Sequence, residues 1–358
     1  MSRDNLLAIG FISLFAVIFS QVAIAQYQWQ RHPGPVFSTE SLLGWDSHQV
    51  THQSVVYLNS TYHMWYMGWA DYFTGANQSI GYAISTDGIK WFRYADNPVM
   101  DGDVANWTGG SLRIPSVSWI DNHFVMVFGT QGAGPDNLHS HFGFASSTDG
   151  TEWEVDPNPI LSVGSSDEWD SEGLHQCSPI IVFDGLYWFW YSASGSIGRA
   201  IGAAISTDMN SWTKHSSNPL LFAGTPGEWD AGEIAFPQVI LRNGLLEMWY
   251  SGRQVTNGSG RIGMAFSNDG IHWTKSQYNP VFETGDAGQW DDQIVLCPRV
   301  VYNREEIYLW YSAQGNKDPW DYNWNIGLAV SPVPENMMPD EQSETIPTST
   351  NLEEPKLK

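Results

Sequence analysis

Five tryptophans, Trp45, Trp107, Trp169, Trp229 and Trp290, stand 62, 62, 60 and 61 residues apart, and four of the five are followed by Asp. Each opens the same phrase: Trp-Asp, a few residues, an aliphatic, then a strand-like stretch such as Ile114-Pro-Ser-Val117 or Phe236-Pro-Gln-Val239. A repeat of about 60 residues is too long for a solenoid unit and has the size of a small sheet repeated around an axis.

Each unit divides into four strands. A polar turn (Asn59-Ser60, Asp121-Asn122, Asp184-Gly185, Asn243-Gly244, Asn303-Arg304) follows the opening strand and suits a tight hairpin. A second strand is aromatic and β-branched, as in His63-Met-Trp-Tyr66, Phe124-Val-Met-Val-Phe128 and Glu247-Met-Trp-Tyr250. The third carries glycine at a fixed place (Gly81, Gly143, Gly202, Gly263, Gly327) and in four units runs into an Asp turn, as in Ser85-Thr-Asp-Gly88. A fourth strand begins at a Trp and closes with Asn-Pro at Asn97, Asn158, Asn218 and Asn279. No helical periodicity of useful length follows residue 26, so the chain is expected to be all-β.

The fifth unit stops after its third strand, at Ile326-Gly-Leu-Ala-Val-Ser331. Its missing fourth strand has a spare copy at the other end, Trp29 to Phe37. The expected architecture is one closed five-bladed β-propeller over residues 26–335, with four-stranded antiparallel blades and the N-terminal strand completing blade five. Closure removes the sheet edges that an open array would leave unpaired. Packing between blades accounts for the repeated tryptophans.

Residues 1–25 read as a signal peptide: Leu6 to Ala25 is an apolar run behind Arg3, ending Ala23-Ile-Ala25. The protein is expected to be secreted or periplasmic, with no membrane span. Residues 336–358 form a polar, acidic tail that cannot bury a core and is expected to be disordered. Cys177 and Cys297 fall on first strands of non-adjacent blades, which favours two buried free thiols over a disulfide. A net charge of −23 argues against nucleic acid as a partner. Carbohydrate is the expected partner, the protein acting as a monomer without cofactor or metal.

In this topology the Asp turns share one face, and loops that differ in every blade share the other, which marks the binding face. Trp69, Tyr72, Phe73, Trp320, Tyr322 and Trp324 come from blades one and five, neighbours once the ring closes. Such aromatics suit the apolar faces of sugar rings, and Trp69, Trp320 and Trp324 are the expected platform.

The phrase Trp-Asp…Pro-x-Val…Met-Trp-Tyr-Ser-Gly…Ile-Gly-x-Ala-x-Ser-x-Asp-Gly-x-x-Trp…Asn-Pro-Val resembles the five-bladed propeller superfamily of glycoside hydrolases, which holds arabinanases, β-xylosidases, invertases, levansucrases and the related mannoside phosphorylases. That resemblance implies three carboxylates on the first strands of blades one, two and three. The chain departs at all three. Blade one has Thr51-His52-Gln53-Ser54, without an acid. Blade two has Leu112-Arg113-Ile114-Pro115, with Ile114 where an Arg-Asp-Pro triplet would put Asp. Blade three has His175-Gln176-Cys177-Ser178-Pro179, with Gln176 in place of Glu.

Other acids lie nearby. Asp46, Asp170, Asp230 and Asp291 recur after the repeated Trp and suit a structural turn. Glu172 and Glu233 do not recur and begin first strands on adjacent blades, within the range a glycosidase pair needs. Glu172 is the candidate acid and Glu233 the candidate base, with His52, Arg113 and His175 binding substrate. His52 and His175 stand at near-equivalent positions, each followed by Gln, and fit acid–base work, metal ligation or simple hydrogen bonding, the last favoured over a metal. Arg113, Arg199, Arg253 and Arg261 fall on the loop face and Arg299 on a first strand, a concentration suited to an anionic sugar. Two functions follow: an exported glycoside hydrolase acting on poly- or oligosaccharide at the central funnel, or a non-catalytic glycan-binding propeller that has lost its carboxylates.

Overall fold

The computed structural model describes residues 27–39, 44–70, 78–130, 140–254, 258–303, 305–315 and 324–334, and these contain strands and turns but no helix. The strands form five antiparallel sheets. Blade one is Gln49–Leu58, Thr61–Trp69, Ser79–Ser85 and Phe92–Arg93. Blade two opens with Leu112–Ile120, and blade three with Gly173–Cys177 and Ile181–Phe183. Blade four opens with Glu233–Arg242 and blade five with Ile294–Tyr302. Each first strand packs against the first strands of both neighbouring blades, blade five returning to blade one, so the five enclose an axis. The N-terminal segment completes blade five as expected. Gln30 and Arg31 pair with Val330 and Ala329, and Phe37 bridges Ile326.

The repeated residues interlock in three ways. The Trp that opens each unit lies over the third-strand glycine and beside a second-strand aromatic. A Cβ on Gly81 would stand 2.6 Å from the Trp45 ring, and Gly143, Gly202, Gly263 and Gly327 are equally close to their own Trp. Only glycine admits the indole there.

The second joint runs between blades. Trp65, Trp190 and Trp310 donate their indole N–H to the carbonyls of Gly150, Gly270 and Gly88, in the Asp-Gly turn of the next blade, at 2.8, 2.9 and 3.0 Å. The same carbonyls also accept from their own blade's Trp153, Trp273 and Trp91. Where one partner is missing, so is the other. Blade two has Val127 in place of the Trp, and the turn it would reach has Met209 in place of Gly. Trp249 points toward blade five, which has no Asp-Gly turn, and its Nε1 has no acceptor. Its ring packs instead on Tyr27 and Trp29, at 5.3 and 6.1 Å between centroids.

The third joint neutralises the recurrent Asp. Asp46, Asp170, Asp230 and Asp291 each accept from a second-strand tyrosine, Tyr66, Tyr191, Tyr250 or Tyr311. Each also pairs with a cation of the fourth strand, Arg93, Lys214, Lys275 or Arg31. Buried charge is tolerated when it is paired and hydrogen-bonded. Blade two replaces all three members together, with Thr108, Phe128 and Val155 at the same places.

If the interblade indole bonds hold the ring, Trp→Phe should cost more where the N–H has an acceptor. Trp65→Phe, Trp190→Phe and Trp310→Phe should each lose about 0.5–1.5 kcal/mol more than Trp249→Phe in denaturant unfolding. An equal loss in all four would refute the role given to the bond.

Candidate functional site: a basic axial channel

Every first strand carries a β-bulge, with register shifts at Thr51/Ser54, Arg113/Ser116, Leu174/Cys177, Ala235/Gln238 and Leu296/Arg299, that of blade three opening one residue earlier than the others. A bulge bends the strand and re-aims its side chains. At its apex His52, Ile114, Phe236 and Cys297 have φ of 51°, 60°, 56° and 55°. That region is unfavourable for side chains other than Gly and Asn, most of all for β-branched Ile114, so the ring of bulges stores strain at the axis.

The blades align through the pairing of second-strand aromatic with third-strand glycine, Tyr66 with Gly81, Phe128 with Gly143 and Tyr191 with Gly202. By this alignment Val50, Leu112 and Leu174 are equivalent. His175 then shares the position of Thr51 and Arg113, while Gln176 shares that of His52 and Ile114. The near-equivalence of His52 and His175 is offset by one residue, since His52 stands seven residues after Trp45 and His175 six after Trp169. The three positions at which the resemblance implies carboxylates are thus His52, Ile114 and Gln176, all within the bulges, the first two with left-handed backbone.

Cations surround these positions. Arg299 is wholly buried and crosses from blade five to Ser116 Oγ in blade two and the Cys177 carbonyl in blade three, at 3.2 and 3.4 Å. Arg113 donates to the Thr130 carbonyl at 3.3 Å. Arg199 and Arg253 both grip Glu233, at 3.1 and 2.7 Å to its two oxygens. Side-chain exposure rises from none at Arg299 to 23% at Arg199 and 43% at Arg253, which orders them from the depth of the channel to its mouth. Arg261 stands apart, near Glu283 at 3.9 Å.

The histidines lie among these charges. The His52 ring meets Phe236 of blade four edge-on, 5.4 Å between centroids, and its backbone N–H donates to Ser312 Oγ. His175 Nε2 lies 2.5 Å from Ser194 Oγ. Burial pushes the His52 imidazole down to about 3, and Arg113 and Arg299 add to the shift. His175 is likewise pushed down to about 3, by burial first and then by Arg199 and Arg113. Both rings are therefore neutral near pH 7. Burial also pushes Arg299 down to about 10. Cys177 and Cys297 are free, buried and pushed up to about 12 by desolvation, which makes them inert thiols.

The remaining expected residues fall as follows. Glu172 is exposed just before the first strand of blade three, its backbone N–H bonded to the Ser194 carbonyl. Glu233 begins the first strand of blade four, opposite Arg253. Trp69 is half-buried and pairs in register with Gln49, while the next residue, Val50, donates to the Trp324 carbonyl across the blade one–blade five boundary. The two rings thus belong to adjoining backbone. Trp320 lies outside the described residues, as do Tyr72, Phe73 and Tyr322. Phe236, Ser194 and Gln176 join the site without having been singled out as site residues, although Phe236 lies 60 residues beyond Gln176, the interval that separates Trp169 from Trp229. Among the described residues no group of three His, Cys, Asp or Glu is placed to hold a metal ion, and no helix is long and apolar enough to cross a membrane.

Residues 21–177 match the family model for the glycosyl hydrolases family 32 N-terminal domain. A glycosyl hydrolase from Bacteroides ovatus superposes with a TM-score of 0.66 at 17% identity, over 87% of this chain and 98% of that one. The fold is that of the five-bladed propeller glycoside hydrolases. A structure from the GH130 family of mannoside phosphorylases, described as containing hydrolases that target β-1,2 mannosidic linkages in Candida mannan, superposes with a TM-score of 0.64 at 19% identity, covering 85% and 94% of the two chains. In sequence, 130 residues are 28% identical to the β-1,2-mannobiose phosphorylase of Thermoanaerobacter sp. (strain X514). That match takes in 34% of this chain and 42% of the length of the curated relative.

The depressed histidines give the channel a pH signature. A group whose folded pKa lies below its unfolded value contributes stability that is complete above the unfolded pKa, about 6.5 for His, and is lost as pH falls toward the folded one. Melting temperature should fall between pH 7 and pH 4. His52→Asn, which accepts the left-handed backbone, should make that fall shallower whatever its effect at pH 7. An unchanged slope would show that His52 protonates freely in the folded state.

Proposed function

We propose that this protein takes a glycan at the loop-face mouth of its axial channel and recognises it without the three-carboxylate chemistry of its fold relatives. One observation carries the reading. The bulge positions at which the resemblance implies carboxylates are occupied by an imidazole, an isoleucine and an amide, His52, Ile114 and Gln176. The carboxylate that touches the channel arginines, Glu233, has both oxygens engaged by guanidinium groups. Trp69 and Trp324, on adjoining backbone, supply apolar faces for sugar rings. The apolar segment from Leu6 to Ala25 supports export, and a secreted chain beginning at Gln26 would bear that out.

Catalysis is the second reading, favoured by the family-model match and the hydrolase relatives. It would use Glu172 as acid and Glu233 as base, with His175 and Arg113 orienting the substrate. A panel of neutral and acidic oligosaccharides, scored for retention and for cleavage with and without phosphate, separates the two. Retention without cleavage is expected. Cleavage that falls at least a hundredfold in Glu172→Gln while binding survives would establish the hydrolase instead.

The platform has its own test. Trp69→Ala or Trp324→Ala should weaken glycan retention several-fold, since stacking of one ring contributes on the order of 1 kcal/mol. Melting temperature should hardly move. A large loss of stability with retention intact would make both rings packing residues.

A further inference from the structure

We infer that the channel holds an oxyanion site between Arg113 and Arg199, beside His175 and Ser194, built to take the carboxylate or sulfate of an acidic sugar. The inference rests on the glycan-recognition reading above and names the substrate class for it.

Charge is the first support. The chain carries a net charge of −23, yet Arg113, Arg199, Arg253 and Arg299 gather at the channel against one contacting carboxylate among the described residues, Glu233. Among the described residues, four guanidiniums less one carboxylate leave three positive charges in a recessed place. Guanidinium groups there pay a desolvation cost that an anion offsets.

Hydrogen bonding is the second. Seven buried side-chain atoms of this one cluster have no partner: Thr51 Oγ1, His52 Nδ1, the Nε of Arg113, Arg199 and Arg299, and both amide atoms of Gln176. Four others lie elsewhere, on His48, Trp107, Asp170 and Trp249. Buried polar groups are ordinarily satisfied, so a concentration in one cluster points to a polar ligand. The donors have separate tasks. Arg299 is committed to Ser116 and to the Pro298 and Cys177 carbonyls, so it raises the local potential without reaching out. Arg113 is anchored through Nη2 alone, and Arg199 has Nη1 on Glu233. Their remaining N–H groups form the fork that planar oxyanions select. Ser194 pairs with Arg199 across the second hairpin of blade three and bonds His175, which places hydroxyl and imidazole at the same spot.

Oligogalacturonate, its carboxyl-reduced counterpart and inorganic phosphate, titrated into the full chain at low and at physiological salt, test the site. The acidic oligosaccharide is expected to bind at least tenfold more tightly than the reduced one, with the margin shrinking in salt. Arg113→Gln should remove most of that margin, Arg199→Gln should do the same, and Arg261→Gln at the rim should keep it. Melting curves identify any variant that fails to fold, and either of the first two suffices. Phosphate binding that depends on Arg113, with no glycan bound, would uphold the oxyanion site, assign it to a free anion and sink the glycan reading. Equal binding of the acidic and reduced sugars, with no phosphate bound, would overturn the oxyanion site and leave glycan recognition standing.

Discussion

A single carbonyl in each Asp-Gly turn accepts two indole N–H groups, one from its own blade and one from the blade before. That shared acceptor ties a local turn to a neighbouring sheet at three of the five joints, so the turns of blades one, two and four cannot settle independently of the blade before. The N-terminal strand brings Trp29 into the same scheme, donating to the Val281 carbonyl of blade four. Ring closure from blade five to blade one therefore uses the same bond as the joints from blade one to two and from blade three to four, with blade five borrowing from the start of the chain what it lacks at its end.

A closed ring in turn allows the axis to be strained and charged. Left-handed residues such as Ile114 and a buried guanidinium such as Arg299 each carry a cost that persists only when surrounding structure over-determines it. The interlocked blades provide that. The recurrent Asp residues do not add to the charge at the centre, since each is paired with a fourth-strand cation away from the axis. Net acidity and a basic channel coexist because the two populations of charge are kept apart.

The fold was legible because its contacts repeat: Trp45 and its equivalents, the glycines beneath them and the Asp turns all recur with the blade period. The missing fourth strand and its spare copy at Trp29–Phe37 were legible for the same reason. The site was less so, since it is made of departures from the repeat. The concentration of arginines could be seen in sequence, but the engagement of Glu233 by Arg199 and Arg253 depends on hairpin register. The offset of His175 from His52 can be counted from Trp169 and Trp45, but the consequence, that His175 stands level with Thr51 and Arg113 rather than with His52, depends on the pairing of first and second strands. Phe236 reads in sequence as strand only, because an aromatic there looks like core until the ring brings it onto His52.

Blade two shows how such a ring can change. Its Thr108, Phe128 and Val155 stand where the other blades keep an acid, a phenol and a cation. The two charges in that triad are unequal in what they risk. In blade three the Asp170 side chain has 0% exposure against 25% for Lys214, and in blade four the figures are 2% for Asp230 and 28% for Lys275. Removing the cation first would strand a carboxylate out of reach of water, whereas removing the acid first leaves an ammonium that can turn outward. The order of loss is thus constrained by burial: acid before base, with the phenol released once its acceptor has gone. A substitution path taken in the opposite order passes through an intermediate with an unpaired buried charge, so this corner of each blade is easier to dismantle from the inside outward than from the outside inward.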